Sequence, residues 1–261
     1  FQNKMIPTVK FSNISLFRKI ENRSTKYLSK ISIYLRFFIL FLIIITMARP
    51  QSTNIEKEVI SEGIDIMMVL DTSGSMAAED FQPDNRLVVA KETMKKFISK
   101  RTNDRIGLVV FGSEAYTQSP LSVDYEIIGN LFNDIELSMA GDGTAIGMAI
   151  ATALNRFKES ESKTKIMILL TDGENNSGDI TPLRAAELAK DVGVRIYSIG
   201  IGKEGGARIP YHHPVFGKIY SDQLTYLDEE TLNNISSITN GAFFKATNSK
   251  SLAEIYKKID I

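Results

Sequence analysis

Five short, nearly uninterrupted apolar runs, each separated from the next by one or more segments of helical periodicity, constrain this chain more than any other feature. The runs are Ile64–Leu70, Ile106–Phe111, Ile166–Leu170, Val194–Ile199 and Ala242–Lys245. They are continuous rather than alternating, as strands covered on both faces must be. Between and after them, Arg86–Lys100, Tyr125–Ile135, Ala145–Phe157, Pro182–Val192, Glu229–Thr239 and Ser251–Ile259 carry apolar residues at helical spacing. Pro182 stands where a first-turn proline belongs, and Asp84 or Asn85 can cap the first of these helices. Strand and helix alternating over some 200 residues specify an α/β fold with a doubly wound, mostly parallel sheet. The stretch Gly202–Asp222, with Gly205-Gly206 and Tyr211-His-His-Pro214, reads as an irregular excursion from that sheet.

A different kind of segment precedes this pattern. Residues 31–48 are apolar apart from Ser32, Arg36 and Thr46, and eighteen helical residues rise about 27 Å, close to the hydrocarbon thickness of a bilayer. The run has no polar face, which favours a membrane helix over a buried core helix. Arg36 near its start can snorkel to the headgroups. Thirty residues precede it and no small-residue cleavage pattern follows, so a cleaved signal peptide fits less well.

Net charge supports the same division. The 261 residues hold 31 Lys+Arg and 31 Asp+Glu, but residues 1–50 hold nine basic groups against one acid, Glu21, a net +8, leaving −8 for residues 51–261. The expected organisation is a basic cytoplasmic segment over 1–30, a transmembrane helix over 31–49, a linker or the start of the domain over 50–62 and an α/β domain over 63–261. The positive-inside rule places that domain on the extracytoplasmic, periplasmic side of the cell's inner membrane, with residues 31–49 against lipid. The basic block is explained as the membrane flank, and the acidic domain offers no patch for nucleic acid. A chain that opens on Phe1 is expected to be a piece of a longer one.

The chain has no Cys and two His, His212 and His213, which leaves no thiolate chemistry and too few imidazoles for a zinc centre. The His pair reads as a solvated loop feature. Oxygen ligands remain, and they gather in three loops at the carboxyl ends of strands, where open α/β sheets bind ligands. Asp71, Ser73 and Ser75 alternate in Asp71-Thr-Ser-Gly-Ser75, Thr144 follows the glycines of Gly141-Asp-Gly, and Asp172 ends a strand in Thr171-Asp-Gly. Three hydroxyls and two carboxylates suit a small hard cation, Mg²⁺ first and Mn²⁺ or Ca²⁺ next, with a position left for an outside ligand. Met67, Met68 and Met167 read as core filler, Met76 as packing at the site's rim, Phe243-Phe244 as a strand pair with one ring in the core, and Glu174 and Asn175 as solvated loop residues.

These residues resemble the metal-ion-dependent adhesion site (MIDAS) of the von Willebrand factor type A (VWA) domain. The likeness extends through D-T-S-G-S-M-A-A-E-D-F-x-P-x-N-R-L-x-x-A-K at 71–91, D-G-T-A-I-G at 142–147, L-L-T-D-G-E-N-N-S-G at 169–178 and I-Y-S-I-G-I-G at 196–202. With A-R-P-Q at 48–51 and S-L-A-E-I-Y-K-K-I-D at 251–260, the chain is similar to the bacterial aerotolerance-operon membrane proteins of the BatA/BatB group. The resemblance implies a membrane-anchored, non-enzymatic domain whose Mg²⁺ holds an acidic side chain of a protein partner. It also implies coupling, in oxygen-stress tolerance, to other Bat-like proteins or to a MoxR-type AAA+ ATPase, although the topology puts the domain across the membrane from a cytoplasmic ATPase. Further membrane helices are expected on either side of the chain.

Catalysis is the competing class, in the form of a metal-assisted hydrolase. Val69–Ser75 and Leu169–Gly173 resemble aspartic-protease loops, but Ser73 stands where a Gly belongs and α/β alternation contradicts an all-β protease. A dehalogenase-type phosphatase needs an Asp where Ser73 sits, a subtilisin triad needs a His-Gly turn, and no glycine-rich phosphate loop follows the first strand.

Overall fold

The computed structural model describes residues 23–47, 63–81, 84–202, 207–213, 217–223 and 227–259. Most of the basic segment, the stretch 48–62 and the last two residues lie outside these. The chain divides into two compact units, Phe1–Glu58 and Val59–Ile261.

In the first unit, helix α1 spans Arg23–Met47. Its stretch Lys30–Met47 is long and apolar enough to cross a membrane, and none of its side chains is buried. A soluble core helix would bury such a run. Thr46 does not break the apolar surface, because its hydroxyl donates back to the carbonyls of Leu42 and Ile43.

The second unit is built on a six-stranded sheet. Its strands are β1 (Asp65–Asp71), β2 (Arg105–Phe111), β3 (Ala115–Ser122), β4 (Lys165–Thr171), β5 (Val194–Ile201) and β8 (Phe243–Ala246), in the order β3-β2-β1-β4-β5-β8. All pairings are parallel except β2 with β3. The sequence pattern misses β3, whose Ala-Tyr-Thr-Gln-Ser-Pro-Leu-Ser is polar and carries a proline. A sheet edge tolerates both, since one side of the strand donates to nothing.

Helices cover both faces: α2 (Arg86–Ile98), α3 (Tyr125–Leu131), α4 (Ile146–Arg156), α5 (Pro182–Asp191), α6 (Glu229–Ile238) and α7 (Ser249–Ile259). Alternate side chains of β1 explain the double cover. Ile66, Met68 and Leu70 join a core with Leu87, Met94, Ile128 and Leu252, while Met67 and Val69 join another with Ile146, Ile150, Ala186 and Leu232. Met67, Met68 and Met167 are fully buried, as expected of core filler. Met76 is a correction, being fully buried in the first core rather than at a rim. Phe243 and Phe244 are also corrected: both are half-buried, and they pack on opposite faces of the sheet. Asn85 caps α2 by accepting from the Val88 N–H at 2.8 Å, and Pro182 opens α5. The segment after α3 turns rather than continuing as helix to residue 135.

The excursion after β5 is not irregular. Strands β6 (Ala207–His213) and β7 (Gly217–Gln223) pair antiparallel as a separate hairpin, with His212 and His213 on β6. Its signal, a period-two strand pattern, is diluted by glycine, proline and histidine. The hairpin leans on the loop after β1, where the Tyr220 hydroxyl donates to Glu79 at 3.0 Å and the Glu79 N–H donates to the Arg208 carbonyl at 3.3 Å.

Close helix packing makes one glycine diagnostic. A Cβ on Gly147 in α4 would lie 1.9 Å from the Ile180 carbonyl oxygen, a backbone atom that cannot swing aside. Gly147→Ala is therefore expected to lose more than about 2 kcal/mol in urea unfolding, although alanine's helix propensity alone would add about 1 kcal/mol. A more stable variant would show that α4 and the segment before α5 are not in this contact.

Candidate metal centre

The sheet order reverses between β1 and β4: from β1 the chain winds outward through β2, then returns to β4 on the other side. Ligands in open α/β sheets bind at the carboxyl ends of strands at such a switch point. Asp71 ends β1, and Thr171 ends β4 beside it, with Asp172 the next residue. The backbone after Asp71 tightens into a 3₁₀ turn over Gly74–Ala77, so Ser73 and Ser75 swing to the same side. The loop is held down by Thr72, whose N–H and hydroxyl both donate to the Phe111 carbonyl, at 2.8 and 2.9 Å.

The oxygens of these loops converge. Ser73 Oγ lies 3.0 Å from Ser75 Oγ, and Ser75 Oγ donates to Asp172 Oδ1 at 2.6 Å. Asp71 accepts the Ser73 N–H on Oδ1 at 2.8 Å and the Thr171 hydroxyl on Oδ2 at 2.5 Å. Asp71, Ser73, Thr144 and Asp172 are buried, and Ser75 is half-buried. Thr144 Oγ1 lies only 3.2 Å from where a Cβ on Gly173 would be, so the missing side chain at 173 lets the third loop close over the second. All five residues anticipated as ligands thus belong to one cluster of three loops.

Two asparagines set the third loop. Asn176 Oδ1 accepts the Thr144 N–H at 2.8 Å, and Asn175 Oδ1 accepts the Ile146 N–H at 2.9 Å, the latter capping α4 from outside its own sequence. Asn175 is therefore a cap and not a solvated loop residue, whereas Glu174 is exposed as expected. The Thr144 hydroxyl is not the cap, because the helix starts at Ile146 and its cap position is Ala145.

Electrostatics set the site apart from an ordinary polar turn. Burial and then the neighbouring Asp172 charge push the Asp71 carboxyl up to about 7. Burial also raises Asp172, opposed mainly by the charge of Arg86. Arg86, fully buried, donates from Nη1 to Asp172 Oδ2 at 2.8 Å and grips Asp80 through Nε and Nη2 at 2.8 and 2.7 Å. Arg86 and Asp80 lie inside the quoted 71–91 motif, yet sequence reading gave neither a role. A basic residue at a helix start looks like a solvent-facing side chain until the sheet buries it.

The donor set fits a divalent cation. In an octahedral shell at about 2.1 Å, adjacent ligands stand roughly 3.0 Å apart, which is the Ser73–Ser75 hydroxyl spacing. Among the described residues no three His, Asp or Glu converge, so hydroxyls would have to complete the shell.

Against this geometry, the profile of the von Willebrand factor type A domain matches residues 65–258. The chain belongs to the von Willebrand factor type A family. An uncharacterized protein of Borreliella burgdorferi is 36% identical to this type A chain over 202 residues, covering 77% of the chain and 59% of the relative, so the chain spans less than two thirds of that protein. Among solved structures, conserved hypothetical protein BatB from Bacteroides thetaiotaomicron is 31% identical at a TM-score of 0.65, covering 76% of this chain and 98% of its own. An aerotolerance-related membrane protein from Bacteroides fragilis is likewise 31% identical at 0.65, covering 75% and 98%. At the level of fold alone, the type A likeness reaches proximal thread matrix protein 1 of the mussel byssus, described with a zinc-occupied MIDAS motif (23% identical, TM-score 0.56, covering 76% and 44%).

Proposed function

We propose that this type A domain binds a divalent cation, Mg²⁺ first, through Asp71, Ser73, Ser75, Thr144 and Asp172, and uses it to hold an acidic side chain of a protein partner. The observation that carries the proposal is the charge of the buried pocket. Arg86 pairs with Asp172 and Asp80, and Asp71 lies beside Asp172, so once Asp71 is ionised three carboxylates stand against one guanidinium and two negative charges are left over where hydroxyls stand at octahedral spacing. Isolated buried charge is costly, and a bound dication removes the cost. The zinc-occupied motif of the byssal protein supports the use of this fold for a divalent metal.

These residues would act by position. Ser73 and Ser75 offer oxygen lone pairs, while Asp71, with one lone pair on each oxygen already engaged, reaches the ion by its remaining ones or through water. The bound ion supplies a Lewis-acidic site for a carboxylate from outside. Helix α1 anchors the domain in the cell membrane, with the domain on the periplasmic side; the Bacteroides fragilis membrane protein supports the anchoring, and the charge division of the sequence supports the orientation. Other Bat-like proteins and a MoxR-type ATPase system are the partner classes that the relationship to BatB suggests.

A pull-down from membranes with and without chelator tests the recognition role. A protein lost on chelation and lost with Asp71→Ala is expected, and pull-downs identical in all three conditions would sink it. Turnover of a phosphoester or peptide library that vanishes in Asp71→Ala would instead establish the hydrolase.

The raised Asp71 carboxyl gives a pH signature. Its folded value of about 7 lies above the ordinary carboxylate value of 3.8, so without metal the group's contribution to stability is full below the unfolded value and is lost as pH rises through 7. Metal binding needs the carboxylate, so saturating Mg²⁺ is expected to raise the melting temperature far more at pH 8 than at pH 5. Equal shifts at both pH values would contradict this.

A further inference from the structure

Among the described residues, Arg86 is the only basic residue that is fully buried. Its three nitrogens are all committed, Nη1 to Asp172 and Nε with Nη2 to Asp80 as a bidentate fork. Gly202, at the end of β5, closes the space on the remaining side, since a Cβ there would lie 3.4 Å from Nη2. The guanidinium therefore sits in a fixed place behind Asp172, on the far side of that carboxylate from Ser75, which holds the other oxygen at 2.6 Å. Asp80 is almost as secluded, with its side chain 11% exposed. Asp142, a further carboxylate near this loop, is exposed at the rim and screened by water.

With Asp71 ionised, as metal binding requires, three carboxylates and one guanidinium give the pocket a charge of −2. The cost of stripping water from an ion grows with the square of its charge, while its attraction to the pocket grows linearly with the charge of each. A pocket at −2 thus favours a dication, and one at −3 shifts the balance towards a trication. We propose that Arg86, with Asp80 behind it, is a specificity-determining residue of the metal centre: the pair fixes the pocket's charge and thereby its preference for divalent over trivalent cations. This rests on the metal-binding reading above and adds to it that the selecting residues are ones the ion does not touch.

The test uses the full chain in detergent micelles, with Tb³⁺ binding followed by tyrosine-sensitised luminescence and Ca²⁺ measured by displacement. The quantity read is the ratio of Tb³⁺ to Ca²⁺ affinity. Arg86→Met is expected to raise it about tenfold and Asp80→Asn to lower it, in each case by one unit of charge near the ion. Arg86→Lys, which keeps the charge and loses the fork, is expected to stay near wild type, and Arg86→Met/Asp80→Asn, restored to −2, is expected to return there. A merely structural role for Arg86 would lower stability in both single Arg86 variants without moving the ratio. Asp80→Asn keeps the buried Arg86–Asp172 pair, so it decides the matter even if Arg86→Met does not fold. A ratio unchanged in the folded variants overturns the proposal alone, and absence of saturable binding of either ion to wild type overturns the metal reading beneath it.

Discussion

Asp71→Asn is expected to weaken metal binding severely and, in the presence of chelator above pH 7, to make the protein more stable than wild type. The two effects have one cause. The Asp71 carboxylate is fully buried beside Asp172 and held by the Ser73 N–H and the Thr171 hydroxyl, and burial with the second charge pushes it up to about 7. Without metal an ionised Asp71 opposes folding. An asparagine keeps the acceptor for the Ser73 N–H and the Thr171 hydroxyl can turn to accept from the new amide, so the neutral side chain fits. The gain at pH 8 is expected to be roughly 2 kcal/mol, part of what a shift of this size represents. The loss in Mg²⁺ affinity, read by calorimetry, is expected to be on the order of a hundredfold or more, since one of the two carboxylates of the site is gone. A variant that binds Mg²⁺ like wild type, or unfolds more easily in chelator, would contradict this account of the site.

Arg86→Ala carries the largest expected loss of stability. It strands Asp172 and Asp80 without their shared cation, and breaking one side of a buried ion pair costs about 3–5 kcal/mol. That is a large share of the total stability of a domain of this size. The comparison lies on the surface, where Arg184 and Glu187 pair at 2.7 Å with side chains 68% and 54% exposed. Removing Arg184 is expected to cost less than about 1 kcal/mol, because water already solvates both partners. Urea unfolding of the two variants side by side reads the difference. Equal losses would mean that Arg86 is not the buried counter-ion of the centre.

The parts of this molecule that could be read from sequence are those whose cause is local. Continuous apolar runs announced β1, β2, β4 and β5 because burial on both faces excludes most polar residues, a shorter run marked the half-buried edge strand β8, and Asn85 and Pro182 marked helix starts through their own side-chain chemistry. The five ligand candidates were legible because hydroxyls and carboxylates at strand ends have few other uses in that pattern. What escaped depends on distant partners. Strand β3 is polar because it lies at an edge, the hairpin β6–β7 is visible only once its two strands pair, Asn175 caps a helix that begins about thirty residues earlier, and Asn176 holds the loop before it. Arg86 was hidden for the same reason: its role is defined by Asp172, 86 positions away in the chain.

The most direct test of the central claim is an anomalous difference map from crystals of the chain soaked in Mn²⁺. The account predicts one peak at the carboxyl ends of β1 and β4, about 2.0–2.3 Å from Ser73 Oγ and Ser75 Oγ, and no peak in Asp71→Ala. A wild-type map with no density there, the serine hydroxyls still bonded to each other and to Asp172, would contradict it.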